Sequence, residues 1–395
     1  MRSLLLVFSL LFLFALEILR VYFIMPFPGS QQSETISIAY FLDKNIFWLR
    51  LLGFVLLLIS AYSLFKYAKR WKKWLFTFFL LLYGFIFYMF NFKFLAEKMF
   101  YQPKVKTMLT QQESKVDTNA LVLATVIHGD ARAYPVQVIG YHHQVLDTIG
   151  GEPVMVTYCT VCRTGRIFSP FVDGKYEHFR LVGMDHFNAM FEDRTTRSWW
   201  RQVTGEAITG DMKGKNLLEI YSIQTRLGSW LAAHPDSKIM QPDSNYKKRY
   251  ENLSGYDSGT IAGSLEKRDS SSWQFKSWVI GVISGKNSKA YDWNDLVKDK
   301  LIEDTIAGAP VVLWIEKDSV SFHAFRNDAG GSMHHFEIGS SGLITDKETH
   351  SEWSYHGEAV NGPLKGNTLP VLPAYQEFWH SWKYFHPATT AYKGK

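Results

Sequence analysis

The sequence predicts an α+β fold, mostly β, in which two tandem related β-rich repeats, each closed by a short helix, follow three transmembrane helices. Three observations carry this expectation. Long apolar runs fill the first hundred residues, and short Val/Ile/aromatic runs between turn pairs fill the rest. The same segments also recur twice in the same order.

The apolar runs 4–25, 46–65 and 74–95 are each long enough to cross about 30 Å of hydrocarbon at about 1.5 Å per residue. The first lacks a small-x-small cleavage site before Pro26, which favours a retained span over a signal peptide. It carries Glu17 and Arg20 one turn apart, placed to pair on one face or to lie near the interface. Between the second and third runs stand Lys66, Lys69, Arg70, Lys72 and Lys73, whereas the 26–45 loop has Lys44 against Glu34 and Asp43. By the positive-inside rule the amino terminus is cytoplasmic and the C-terminal domain extracytoplasmic, with the lipid bilayer as the first partner.

Charge agrees with this division. The net charge is +6, yet residues 1–103 hold 11 Lys/Arg against four Asp/Glu, leaving 32 against 33 beyond them. The basic balance belongs to the membrane end, so no nucleic-acid partner is expected.

Residues 104–119 read as a linker, 120–240 as repeat one, 241–275 as a polar linker or long surface loop, and 276–395 as repeat two. LDTIGGEPVMV in the first half answers EDTIAGAPVVL in the second. Ser198-x-Trp200 answers Ser351-x-Trp353, and Glu206 answers Glu358 in Gly-Glu-Ala. Helical candidates 226–233 and 374–385 both end at His-Pro, because proline disfavours helix in the residue before it. Features present in both halves, including His234 and His386 four residues after Trp230 and Trp382, are read as scaffold.

Repeat one alone holds the only two cysteines, Cys159 and Cys162, where repeat two has Glu316 and Ser319. His142, His143, Arg163 and Arg166 are likewise confined to repeat one. Soft thiolates select copper or zinc, so a metal site on Cys159, Cys162 and His142 is the leading expectation. His186, Met184 or Met190 would complete its shell. The first alternative is a thiol-disulfide oxidoreductase working on a thiol partner protein, with Arg163 and Arg166 favouring the thiolate. Against a thioredoxin fold, the residues after Cys162 have strand character instead of a helical period. The second alternative is a non-catalytic binding module with a structural disulfide. No Walker or Gly-x-Gly-x-x-Gly loop is present, and Cys162 is not followed by His, so neither nucleotide nor haem is expected.

Ala131-Arg132-Ala133-Tyr134-Pro135, Gly150-Gly151-x-Pro153-Val154, Thr157-Tyr158-Cys159-x-x-Cys162, Thr204-Gly205-Glu206-Ala207-Ile208 and Trp382-x-x-x-His386-Pro387 together resemble an uncharacterised family, domain of unknown function 3179. The resemblance covers about 120–395 and leaves the spans outside. It singles out His142, Cys159 and Cys162 and implies no activity. The family pattern places glycine directly after the second cysteine, where this chain has Arg163, and an acidic residue where it has His143.

Overall fold

The computed structural model describes residues 2–328, 333–339 and 343–394. The chain divides into two compact units, one of residues 1–101, 174–201 and 205–216, the other of residues 102–173, 202–204 and 217–395.

The first unit contains helices Arg2–Tyr22, Ile36–Tyr67 and Arg70–Phe92, all long and apolar enough to cross a membrane. The second begins ten residues before the apolar run that predicts it. Its added turns hold Asp43 and Lys44, which a hydropathy reading rejects. Asp43 is nevertheless buried, because Arg20 reaches it at 3.0 Å. Glu17 does not pair with Arg20. Arg50 of the second helix meets both its oxygens, at 2.7 and 2.6 Å, and Tyr83 and Asn91 of the third helix donate to it at 3.0 and 2.8 Å. A buried carboxylate among apolar helices is costly unless every lone pair is met, and this one joins all three helices. The unit also holds an antiparallel sheet in the order Ala207–Thr209, Trp199–Arg201, Asn188–Asp193, Phe179–Asp185.

The second unit is built from hairpins. Leu121–Ile127 pairs with Asp130–Pro135, then helix Val136–His142 leads into Gln144–Ile149, Glu152–Cys159 and Thr164–Phe168. Further on, Trp278–Ser284 pairs with Asn287–Asp292, and helix Trp293–Asp299 leads into Leu301–Ile306, Ala309–Ile315 and Phe322–Arg326. Helix Leu227–Ala233 follows strand Ile223–Arg226, and helix Trp379–Phe385 follows strand Ala374–Phe378. The last helix therefore starts five residues later than its sequence suggests, because residues 374–378 pair along Trp278–Val282 instead. Trp382 of that helix lies flat on the sheet at Gly281, where any Cβ would fall 2.2 Å from its ring.

The recurring Ser-x-Trp residues serve one local device. Asp193 accepts from the Trp200 indole at 2.9 Å, the Thr196 hydroxyl at 2.6 Å and the Ser198 backbone. Asp346 does the same for Trp353 at 3.0 Å, Thr349 and Ser351. In each case a short polar side chain closes a turn and fixes a buried indole.

A buried thiol corner as candidate functional site

Strand Glu152–Cys159 runs antiparallel to Thr164–Phe168, and Cys159 stands opposite Thr164 as the last pair before the turn. Residues 160–163 make that turn, ending in Arg163 at a φ of 59°. This left-handed conformation costs an ordinary side chain about 1–2 kcal/mol and suits glycine, which is the residue the family pattern places here. Arg163 keeps it because its guanidinium is held elsewhere. Its Nε donates to Gln376 at 2.8 Å, and its plane lies 3.8 Å over Trp278.

Arg166 is anchored in the same way, 2.6 Å from Glu377 and 3.5 Å over the Tyr375 ring, with both charges buried. Both guanidiniums are thus tied to the 374–378 strand.

Cys159 and Cys162 are fully buried thiols, with no disulfide between them. Burial, followed by a hydrogen bond to Cys159 and its nearby charge, pushes the Cys162 thiol well above its ordinary pKa. Lys276 and a hydrogen bond with Ser381 act the other way. Lys276 is itself lowered by burial, while the two cysteines favour its charged form. Its ammonium donates to the Val161 carbonyl at 2.6 Å and lies 4.6 Å over Phe378. His380 stacks on Phe275 at 4.3 Å, and burial, then Lys276, pushes its pKa down to about 3. The backbone of Phe378 closes the corner by donating to the Cys162 carbonyl at 3.0 Å.

The expected ligands fall in several places. His142 is buried among Tyr246 and Tyr250, with Nε2 2.7 Å from the Tyr250 hydroxyl. His143, at the left-handed end of the same helix, reaches the thiol strand, with Nδ1 2.9 Å from the Tyr158 carbonyl. Burial pushes its pKa down to about 4, which keeps the ring neutral. His186, Met184 and Met190 belong to the other compact unit, where His186 lies 2.6 Å from Asp185. Among the described residues, no His, Asp or Glu brings a ligand atom within 4.8 Å of both sulfurs; the one such trio is His334, Asp346 and Glu348. In that trio Asp346 is already committed to Trp353, Thr349 and Ser351.

Sequence reasoning passed over Lys276, His380 and Ser381. Lys276 opens the stretch read as repeat two and the other two lie in the last helix, so no local pattern ties them to the cysteines.

Residues 100–389 match a family described as "Protein of unknown function (DUF3179)". No curated protein and no solved structure matches the chain.

Proposed function

The chain belongs to the DUF3179 family, a family of unknown function, and we propose its role from its own residues. It is a membrane-anchored, extracytoplasmic protein built from two related halves, whose Cys159–Cys162 pair holds one Cu(I) ion between two thiolates. The observation that carries this reading is the composition of the corner, two adjoining sulfurs with a buried ammonium beside them. Two thiolates and one Cu(I) sum to a single negative charge, which Lys276 offsets in a place where water cannot. Zinc asks for four ligands, or three and a water, and among the described residues no His, Asp or Glu joins the two sulfurs.

An oxidoreductase needs an accessible thiol of lowered pKa, and both burial and the upward shift of Cys162 oppose that. Because the sulfurs are sealed, loading requires the Phe378 backbone to part from Cys162, and exchange of the ion is expected to be slow.

The test is Cu(I) retention by the full chain in detergent, reduced and anaerobic, against a chromogenic Cu(I) chelator. Wild type is expected to hold one ion per chain, and Cys159→Ser and Cys162→Ser to lose it. Equal retention in all three would sink the reading. Without copper binding, a pair with a reduction potential below about −300 mV would be a structural disulfide. For the orientation, an alkaline phosphatase fusion after residue 110 is expected to be active; an inactive fusion overturns it.

A further inference from the structure

A second constellation lies in the second unit, at the turn that follows strand Ala309–Ile315. Both oxygens of Glu316 accept from the Ser229 hydroxyl, at 2.8 and 2.7 Å, and one lies 2.7 Å from Nε2 of His323. Burial opposes a charge on Glu316, but the hydrogen bonds from His323 and Ser229 outweigh it and hold its pKa below the ordinary carboxylate value. An ionised carboxylate only accepts, so Nε2 carries the proton and Nδ1 of the neutral ring carries the lone pair. Nδ1 makes no hydrogen bond to any described residue.

His323 lines a cavity of about 220 Å³ walled by Trp230 and Phe325. Its mouth is apolar, since Val126, Tyr221 and Val371 belong to the lining and are exposed. A cavity of about 150 Å³ is enough for benzene, so this one has room for a single ring. His234 and His356 also face it. Burial pushes both below the ordinary histidine pKa, and at His356 the neighbouring His323 adds to this while Glu316 opposes it. A proton on His323 would be cancelled by Glu316, so an anion finds no free counter-charge in the cavity.

We infer that this cavity binds a small, neutral, single-ring aromatic molecule whose O–H or N–H donates to Nδ1 of His323, with Glu316 as the positioning residue that fixes the tautomer. The Trp230 and Phe325 rings supply the contact an aromatic ligand needs, and the His323 lone pair supplies the one oriented polar group. An apolar cavity with a single placed acceptor selects for a donor of matching size.

Phenol tests this, titrated by calorimetry into the full chain in detergent at pH 8 against a detergent blank, beside pyridine and benzoate. Pyridine is a ring of the same size with an acceptor and no donor, and benzoate is an anion. One phenol per chain is expected, with pyridine and benzoate at least about tenfold weaker, the worth of one good hydrogen bond. His323→Phe keeps a ring in place and removes the acceptor, so it should weaken phenol about tenfold and leave pyridine unchanged. Glu316→Gln lets the ring populate both tautomers and should weaken phenol about threefold. A thermal melt shows which variants fold, and Glu316→Gln decides if His323→Phe does not. Absence of phenol binding to the wild type overturns the proposal. So does benzoate binding as tightly as phenol, or a phenol affinity that is unchanged in a folded variant.

Discussion

Two hairpins of the second unit invite comparison. In one, Glu152–Cys159 turns into Thr164–Phe168; in the other, Ala309–Ile315 turns into Phe322–Arg326, with the Glu316 backbone donating to Ser321. Cys159 to Thr164 and Glu316 to Ser321 span the same number of residues. Each turn is clasped by a strand and helix that lie far away in sequence. The thiol turn is held by Gln376, Glu377 and Phe378, and the glutamate turn by Thr225, Arg226 and Ser229. The difference lies in what does the clasping. Two guanidiniums stacked on aromatic rings hold the first turn, whose sulfurs are buried. Hydroxyls hold the second, and small groups leave space, so a cavity with three imidazoles remains beside it. One hairpin architecture thus gives a closed soft-ligand corner and an open imidazole pocket.

Removing the carboxylate from the sealed clasp should have the largest effect. Glu377→Ala strands the buried Arg166 charge, and losing one partner of a buried pair costs about 3–5 kcal/mol. Chemical denaturation of the full chain in detergent measures it. A loss under about 1 kcal/mol, within the range of an exposed ion pair, would mean that Arg166 finds water or Glu219 instead.

The hydroxyl clasp should be weaker. Ser321→Ala removes an acceptor for the Thr225 hydroxyl at 2.8 Å and for the Arg226 backbone at 3.0 Å, a cost of about 1–2 kcal/mol. If the same denaturation assay found Ser321→Ala as damaging as Glu377→Ala, the contrast between the clasps would fail.

The comparison also explains what was legible in the sequence. Apolar runs announce spans because the signal is local, and Cys-x-x-Cys is visible because its members are three apart. The Glu17–Arg50 pair was missed because each partner, read alone, is an anomaly in an apolar segment. Arg163 and Arg166 looked like neighbours of the thiols, and their true partners lie more than 200 positions downstream. The Ser-x-Trp frame is legible because its members are close in sequence, and His234, read as scaffold beside Trp230, does pack on that ring at 4.0 Å. The pocket lined by His234, His323 and His356 is not legible because its members lie far apart along the chain.

The smallest effect expected is also the one that separates electrostatics from architecture at the sealed corner. Lys276→Met keeps a long apolar stem over Phe378 and removes the charge beside the sulfurs. Burial already holds the Cys162 thiol high and Lys276 opposes that, so its loss raises the thiol pKa further. Copper binds the thiolate and must displace the proton, so affinity rises with pH until the thiols are ionised. Lys276→Met should therefore shift the Cu(I) affinity curve to higher pH with little change in its alkaline limit. Below the thiol pKa, each unit of upward shift weakens binding about tenfold per thiol. Chelator competition between pH 6 and 9 reads the displacement. Superimposable curves for the two proteins would show that the ammonium supports the Val161 turn through its hydrogen bond and contributes no charge to the sulfurs.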